Sequence, residues 1–444
     1  MNGDKKSLIY QLDGRPSLGT AIPLGLQHVL AMFVGNVTPL IIISNALKLP
    51  VEQKTFLIQC AMLIAGVNSL IQCYPIGPIG ARLPIVMGTS FGFLAVCLSI
   101  GGKYGLPGIF GAAIVGGLFQ IVLGLIVKHI RKFFPPLVTG TVLLSIGLGL
   151  IPTGMKYFAG GAGAKDFGSF QNLALGFIVL ITILFFKHFT KGITSMSAIL
   201  IGLIVGYIVA IPMGKISFAA VANASWVSFP MPLKYGIEFH ADAIFAIMLM
   251  YIVSSVETVG NVSGITLTTK RQATDREFSG AIIQDGFGSI LAALFNVLPN
   301  TSYGQNVGII SMTGVVNRFC IATGTAFLIL AGLFPKFGAV IALMPQSVLG
   351  GAAVVMFAMM VVGGINQITS EPLQGRNGTI IAVALGLGFG ISAVPDVLAH
   401  FPQGLKMVLG GSGVVVSGGL AILLNVILPK DKVEVPEKSG ESVA

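Results

Sequence analysis

Charged side chains are scarce in this chain. Asp, Glu, Lys and Arg make up 9% of its 444 residues, against 54% for hydrophobic types, and the mean hydropathy is +0.91. A soluble globular protein carries about 25% charged residues, so this chain has too few to cover a water-facing surface. The same balance excludes intrinsic disorder, which needs high charge and low hydrophobicity. The composition therefore predicts a helical membrane protein with many spans.

Cysteine and the common catalytic signatures are also lacking. The four Cys residues are scattered, which excludes a disulfide scaffold, and with the five His they show no metal-ligand spacing. There is no P-loop, so ATP-driven pumping is not expected, and no Gly-x-Ser-x-Gly elbow indicates a hydrolase. The sequence thus predicts no metal site, no cofactor and no enzyme activity.

Positive charge is in excess, with a formal net charge of +10. A nucleic-acid partner would require Lys and Arg clustered on one face, whereas here they form small groups between apolar runs. More of them fall in the N-terminal segment, the even-numbered loops and the tail, which predicts both termini in the cytoplasm. The polar first 20 residues show no signal peptide. We therefore expect a multi-pass protein of the bacterial inner (plasma) membrane, surrounded by lipid and without a nucleic-acid partner.

About fourteen apolar runs are long enough to be spans of about 20 residues. Two segments, 83–92 and 298–308, are unusual and lie about half the chain apart. Each opens with Leu-Pro and continues through Gly and small polar residues, which favours irregular backbone. Paired broken segments in two halves are typical of a transporter binding site, although ordinary helices with polar N-caps are the alternative.

Ionisable residues within spans are costly and are therefore candidates for function. Glu257 lies deep in an apolar run and shares a helix face with Ser254 and Asn261. His28 lies in the first span, where a structural role is the alternative. Asp285 lies near the start of the ninth span, where the alternative is an N-cap.

The run from Gln305 to Gly314 resembles the signature of the nucleobase–ascorbate transporter family, Gln/Glu-Asn-x-Gly-x-x-x-x-Thr-Gly/Arg. The likeness covers nearly the whole chain. It extends to Gln27-His28, Val86-x-Gly-Thr-Ser-Phe91, Val256-Glu257-Thr-x-Gly260, Asp285-Gly286 and residues 348–357.

The resemblance implies an all-α polytopic fold of about fourteen transmembrane segments, arranged as two inverted repeats of seven. The third and tenth spans would each be a short strand followed by a half-helix. Core and gate domains would alternate along the chain. The implied division is 1–21 cytoplasmic N-terminal segment, 22–132 core (spans 1–4), 133–239 gate (spans 5–7), 240–336 core (spans 8–11), 337–428 gate (spans 12–14) and 429–444 cytoplasmic tail.

The resemblance also implies roles for individual residues. Glu257 would bind the nucleobase, Gln305 would be the second ligand, and Phe91 would approach the ring. Asn306 would support Gln305, and Ser90 and Gly304 belong to the same candidate substrate-binding set. His28, Asp285 and Asn261 would support coupling. Many xanthine permeases of the family carry Asp where this chain has Asn261.

Gln at 305 and Gly at 314 look like the purine (xanthine or urate) branch of the family, whereas the uracil branch usually has Glu and Arg there. Family members commonly form homodimers and take up nucleobases with protons, or with sodium in some branches.

The chemistry of the implied ligands suits an oxidised purine. A carboxylate accepts N–H bonds and an amide both donates and accepts, so Glu257 and Gln305 can together read a purine edge. We expect Glu257 to carry or exchange the coupling proton during alternating access. Three alternatives remain open: another nucleobase such as uracil, an anion such as sulfate or bicarbonate carried by the same fold, and a membrane-embedded enzyme.

Overall fold

The computed structural model describes residues 8–370, 372–373, 375–401, 406–410 and 413–429. Within the predicted N-terminal segment and tail, residues 1–7 and 430–444 lie outside the described residues.

Helices dominate the described residues. They are α1 Leu18–Ala46, α2 Val51–Cys73, α3 Leu94–Ile130, α4 Pro136–Phe158, α5 Phe170–Phe189, α6 Ile193–Met196, α7 Ala198–Ala210, α8 Ala219–Asn223, α9 Ala241–Thr268, α10 Asp275–Leu294, α11 Gly304–Thr313, α12 Arg318–Gly332, α13 Pro335–Ala342, α14 Gln346–Ile368, α15 Arg376–Ala393 and α16 Gly413–Ile427. The strands are β1 Met87–Thr89 and β2 Asn300–Ser302. Short 3-10 turns cover Leu8–Tyr10, Arg131–Phe133 and Pro395–Leu398, and a π turn covers Lys406–Gly410.

Among the described residues, eight helices are long and apolar enough to cross a membrane, and the pair α12 and α13, bent by 84°, would make a ninth. One of the eight, α3, contains a break at Gly105, where φ is 68° and Pro107 follows. A positive φ is costly for residues other than Gly, so this glycine permits one helix to turn into the next. The protein is therefore helical and multi-pass, while the count of fourteen spans stays a prediction.

The two halves of the chain repeat the same packing. Helix α3 of the first half packs against α10 and α9 of the second half. In the same way, α12 of the second half packs against α2 and α1 of the first half. The contact of α5 with α7 is repeated by α15 with α16, and α4 packs against its own counterpart, α14. Such exchange of equivalent pairs is what two inverted repeats produce. The division into core and gate stays a prediction.

The strands β1 and β2 pair antiparallel where the two halves meet. Met87 lies opposite Ser302 and Thr89 opposite Asn300, and every strand residue is buried. Two further backbone bonds extend the pairing: Tyr303 N donates to Val86 O at 2.9 Å, and Ser90 N donates to Pro299 O at 2.9 Å. Irregular backbone at membrane depth is tolerated only where it is buried in protein or lines a cavity. Each segment thus satisfies the backbone groups of the other.

Candidate functional site

Strand β1 is fixed by side chains from both halves of the chain. Asn36 in α1 accepts hydrogen bonds from the Thr89 backbone N at 2.9 Å and its Oγ1 at 3.1 Å. From the other half, Tyr303 Oη donates to Thr89 O at 2.6 Å. The Tyr303 ring needs close approach, because a Cβ on Gly35 or Gly88 would come within 2.8 or 2.9 Å of it. Sequence and packing together therefore lock the first broken segment onto the second.

Strand β2 is fixed mainly by α9. Ser254 Oγ donates to Thr301 Oγ1 at 3.1 Å, and Asn261 Nδ2 donates to Ser302 O at 3.1 Å and to Ser302 Oγ at 2.9 Å. The predicted polar face of this helix therefore exists, and two of its three members support the strand.

A second polar layer lies behind β2. Asn68 Nδ2 donates to Asn300 Oδ1 at 3.1 Å, and Ser289 Oγ donates to Asn300 O at 3.0 Å. Gln284 Nε2 donates to Asn68 O at 3.2 Å. These bonds tie the strand to α2 and α10.

Asp285 is buried in the middle of α10. Its Oδ2 accepts from Thr258 Oγ1 and, at 3.4 Å, from Thr301 Oγ1, while its Oδ1 has no partner among the described residues. The alternative N-cap assignment is wrong, because α10 begins ten residues earlier with a capping box formed by Thr274 and Glu277. Asp285 instead joins α9, α10 and β2.

His28 and Asn306 lie in contact, a pairing that the sequence did not predict. Asn306 Nδ2 lies 2.6 Å from Nδ1 of His28, and both residues are about 1% exposed. Since the amide nitrogen is the donor, Nδ1 of the imidazole accepts. Asn306 Oδ1 remains without a partner among the described residues. Next to His28, Gln27 donates from Nε2 to the sulfur of Met196 in α6.

Glu257 and Gln305 differ from this bonded network. Glu257 is half-buried, and its carboxylate makes no hydrogen bond to another described residue. Gly304 and Gln305 are exposed, at the start of α11 directly after the strand pair. No side chain caps that helix start, which leaves backbone N–H groups for a ligand. Glu257 and the start of α11 thus offer polar groups that no other described side chain bonds.

The two half-helices that leave the strand pair differ in exposure. On α11, one face is open along its length, from Gln305 through Gly308 and Ser311 to Met312, which is 79% exposed. In the opposite half-helix, 94–104, residues are buried or half-buried as far as Gly101. The half-helix α11 is therefore exposed from Gln305 toward its end, where residues 8–17 lie, whereas the first part of the opposite half-helix is covered.

Phe91 directly precedes the covered half-helix and is itself buried. Its ring meets Phe357 of α14 edge-on, with centroids 5.2 Å apart. It also lines a cavity of about 150 Å³ shared with α4, α15 and α16. Neither Glu257 nor Gln305 lines that cavity. The Ser90 hydroxyl accepts from Gly92 N at 3.2 Å, so it shapes the turn into the half-helix.

Sequence reasoning missed several side chains that build the site, above all Asn36, Thr89 and Tyr303. The one signal for them is their position in or beside Gly-rich polar runs within apolar spans. Among the described residues no group of three or more His, Cys, Asp or Glu could hold a metal ion.

Comparisons with known proteins agree with this architecture. The family model Xan_ur_permease, described as a permease family, matches residues 19–397. The chain is 36% identical to the xanthine permease of Bacillus subtilis, over 93% of this chain and 94% of that protein. It is 38% identical to the uric acid permease PucK of the same organism, over 90% and 94%.

The fold is also found among solved structures. The transmembrane domain of a cyanobacterial bicarbonate transporter, BicA, aligns with a TM-score of 0.61 over 87% of this chain and 97% of that one, at 14% identity. That likeness shows a shared fold, the inverted-repeat transporter fold of seven plus seven segments. The chain is thus a transporter rather than an enzyme, and it belongs to the xanthine/uracil permease family, also called the nucleobase–ascorbate transporters.

Proposed function

We propose that this protein imports a purine nucleobase, xanthine or uric acid, by proton symport with alternating access. The observation that carries the proposal is the carboxylate of Glu257, which is half-buried and unbonded to other described residues, on the helix α9 that packs against α11 with its uncapped start. The names of the two Bacillus subtilis relatives support the substrate class.

The roles of the site residues follow from their chemistry. The Glu257 carboxylate accepts N–H groups of the base, and the Gln305 amide both donates and accepts. Backbone N–H groups at Gly304 suit a purine carbonyl. Phe91 offers an aromatic face to the ring, and Ser90 holds the turn that presents it. Discrimination is strong in such a site, because an analogue lacking one partner leaves a buried group unpaired.

Behind these ligands lies the support for coupling. Asn306, held by His28, positions the start of α11, while Asp285 and Asn261 hold β2. We infer that Glu257 exchanges the coupling proton, because an isolated carboxylate in apolar surroundings is costly and a proton removes that cost. Sodium is the alternative coupling ion.

We further infer a homodimer in the bacterial inner membrane, with both termini in the cytoplasm. The excess of Lys and Arg in the predicted cytoplasmic segments supports this orientation. The open side of α11 would then face the cytoplasm, so the structure would represent the state that releases substrate. Movement of the core against the gate would expose the other side.

An anion carrier is the main alternative, given the fold shared with a bicarbonate transporter. The site disfavours bicarbonate and sulfate, because Glu257 is acidic and these anions offer its carboxylate no N–H group that would offset the repulsion. Uracil is the alternative within the nucleobases.

Equilibrium binding of labelled xanthine to the purified protein tests the substrate assignment. We expect uric acid to compete, uracil to compete at least about tenfold more weakly, and bicarbonate not at all. Glu257→Gln should weaken binding at least about tenfold, whereas Glu238→Gln, which changes an exposed carboxylate, should not. Stronger competition by uracil would overturn the purine assignment, and binding of bicarbonate alone would overturn the function.

A further inference from the structure

A second polar cavity, of about 640 Å³, lies at the surface on the side of the N-terminal segment. Four pieces of chain meet there: residues 12–13, the loop 74–82 between α2 and β1, the start of α10, and the start of α12. It is separate from Glu257 and Gln305, neither of which lines it. No role in nucleobase binding accounts for it.

Arginine dominates the charge of this cavity. Arg82, Arg276 and Arg318 line it, together with the acidic residues Asp13 and Glu277. Glu277 is already bound by Arg271, whose two terminal nitrogens lie 2.9 and 2.6 Å from its carboxylate oxygens. The lining therefore has an excess of positive charge.

Arg276 contributes a cation that no acidic residue neutralises. Its guanidinium donates to two backbone carbonyls, Gly77 O at 2.6 Å and Pro78 O at 3.1 Å, and it has no ion pair within the described parts of the chain. The start of α12, which has no acidic residue in its first turn, adds the positive end of a helix dipole. Both features favour an anion.

Arg318 is the buried member of the group, with 7% of its surface exposed. One terminal nitrogen donates to Cys73 O at 2.6 Å, the other pairs with Asp13, and its Nε has no partner among the described residues. Its guanidinium also lies over the Tyr74 ring, 5.1 Å from the centroid. A buried N–H group without an acceptor is costly, so an anion that supplies one would stabilise this site.

In this structure the Asp13 carboxylate supplies the negative charge beside Arg82 and Arg318. Its carboxylate bridges Arg318 and Arg82, with 3.2 Å to the latter. The Asp13 side chain is 58% exposed and can leave by rotation, because its segment is held elsewhere. The two N–H groups of Asn317 Nδ2 are shared among three backbone carbonyl oxygens of that segment, those of Leu8, Gln11 and Gly14, at 3.1, 2.9 and 2.7 Å.

We propose that this cavity binds a phosphate group, from a soluble phosphate compound or a lipid headgroup, at the place that the Asp13 carboxylate holds. Guanidinium groups bind phosphate through paired N–H donors, and a dianion attracts three arginines more strongly than one carboxylate does. Phosphate and the Asp13 side chain therefore compete for Arg82 and Arg318. Arg276, which forms no ion pair with Asp13, would attract phosphate in addition.

Thermal unfolding of the full-length protein in detergent tests the proposal, since a ligand of the folded state raises the Tm. Inorganic phosphate is titrated at constant ionic strength against chloride, and dihexanoyl phosphatidic acid forms a second arm. We expect both to raise the Tm. In Asp13→Asn the half-effective phosphate concentration should fall about tenfold, because the competing charge is removed.

Arg276→Gln and Arg82→Gln should raise that concentration at least about tenfold. The matched control Lys336→Gln, which removes a cation that does not line the cavity, should leave that concentration unchanged. Action of the lipid at lower concentration than phosphate would identify a headgroup as the source, and the reverse order would identify a soluble compound. The proposal is overturned if phosphate does no more than chloride, if the Asp13→Asn curve matches wild type, or if the two arginine variants do not change the response.

Discussion

Asn261 links α9 to the strand pair through a single amide group. Both of its N–H donors point at Ser302, one to the backbone carbonyl and one to the hydroxyl. An ionised Asp at this position would have no donor for that carbonyl. Asn261 therefore makes a bond to the Ser302 carbonyl that an ionised carboxylate at this position could not make.

Asn261→Asp should destabilise the protein by about 1–3 kcal/mol where the new carboxyl is ionised, because two acceptors then face each other. Protonation restores a donor, so the loss should shrink as the pH falls. The Tm measured from pH 5 to pH 8 checks this. Asn261→Ala, which loses the bond without adding charge, should show a loss independent of pH, and equal pH profiles for the two variants would contradict the bond.

Tyr303 stabilises strand β1 in a similar way, through one side-chain hydrogen bond. Tyr303→Phe removes the donor to the buried Thr89 carbonyl and leaves the ring packed against Gly35 and Gly88. We expect a loss of about 1–3 kcal/mol, since a buried carbonyl is left unpaired. Chemical unfolding measures it. A stability equal to wild type would show that the hydroxyl does not hold the strand.

At the scale of elements, loops that join helices are also held by specific side-chain contacts. The loop between α4 and α5 is tied to the end of α7, where Lys215 Nζ lies 2.5 Å from Asp166 Oδ2 and 2.9 Å from Asn172 Oδ1. The hydrogen bond from Lys215 lowers the pKa of Asp166 below its usual range. A lowered carboxyl pKa adds stability above the unfolded value, about 3.9, and that stability is lost as the pH falls through the folded value.

Amide hydrogen exchange over residues 160–168 should therefore speed up between pH 6 and pH 3, after correction for the intrinsic exchange rate. Asp166→Asn removes the titrating group, so its corrected exchange should be the same at both values. If wild type shows no such change either, the contact does not hold the loop.

For the two irregular segments, the sequence predicted the break in the backbone but not the side chains that hold it. Leu-Pro, Gly and small polar residues at equivalent places predicted two matched irregular segments, and both contain a short strand. Their partners could not be predicted, because they lie far away in sequence: Asn36 is 53 residues from Thr89, and Tyr303 is 214. No local pattern encodes such distances.

Among the ionisable residues, the sequence predicted which were exceptional but not what each contacts. His28 meets Asn306, and Asp285 sits amid hydroxyls rather than at a helix start. The exposure of Gln305 and the burial of Phe91 depend on how the two halves of the chain pack against each other. The sequence of a single span does not determine that packing.

At the scale of the whole molecule, the structure is open on one side of the strand pair. A Cys introduced at Met312, on the open face of α11, should react with a water-soluble maleimide, and bound xanthine should slow the reaction. The wild-type protein is the matched control, because its four cysteines, including Cys97 in the opposite half-helix, are buried. Labelling of wild type, or none of Met312→Cys, would contradict the open side.

We propose that Glu257 couples the movement of a purine to that of a proton. The most direct measurement is accumulation of labelled xanthine in proteoliposomes under an imposed pH gradient, with a sodium gradient as the comparison. We predict that the pH gradient drives accumulation by the wild-type protein, that a protonophore abolishes it, and that Glu257→Gln loses it while Glu238→Gln keeps it. Accumulation by Glu257→Gln at the wild-type rate under the pH gradient, or accumulation driven by sodium alone, would contradict the account.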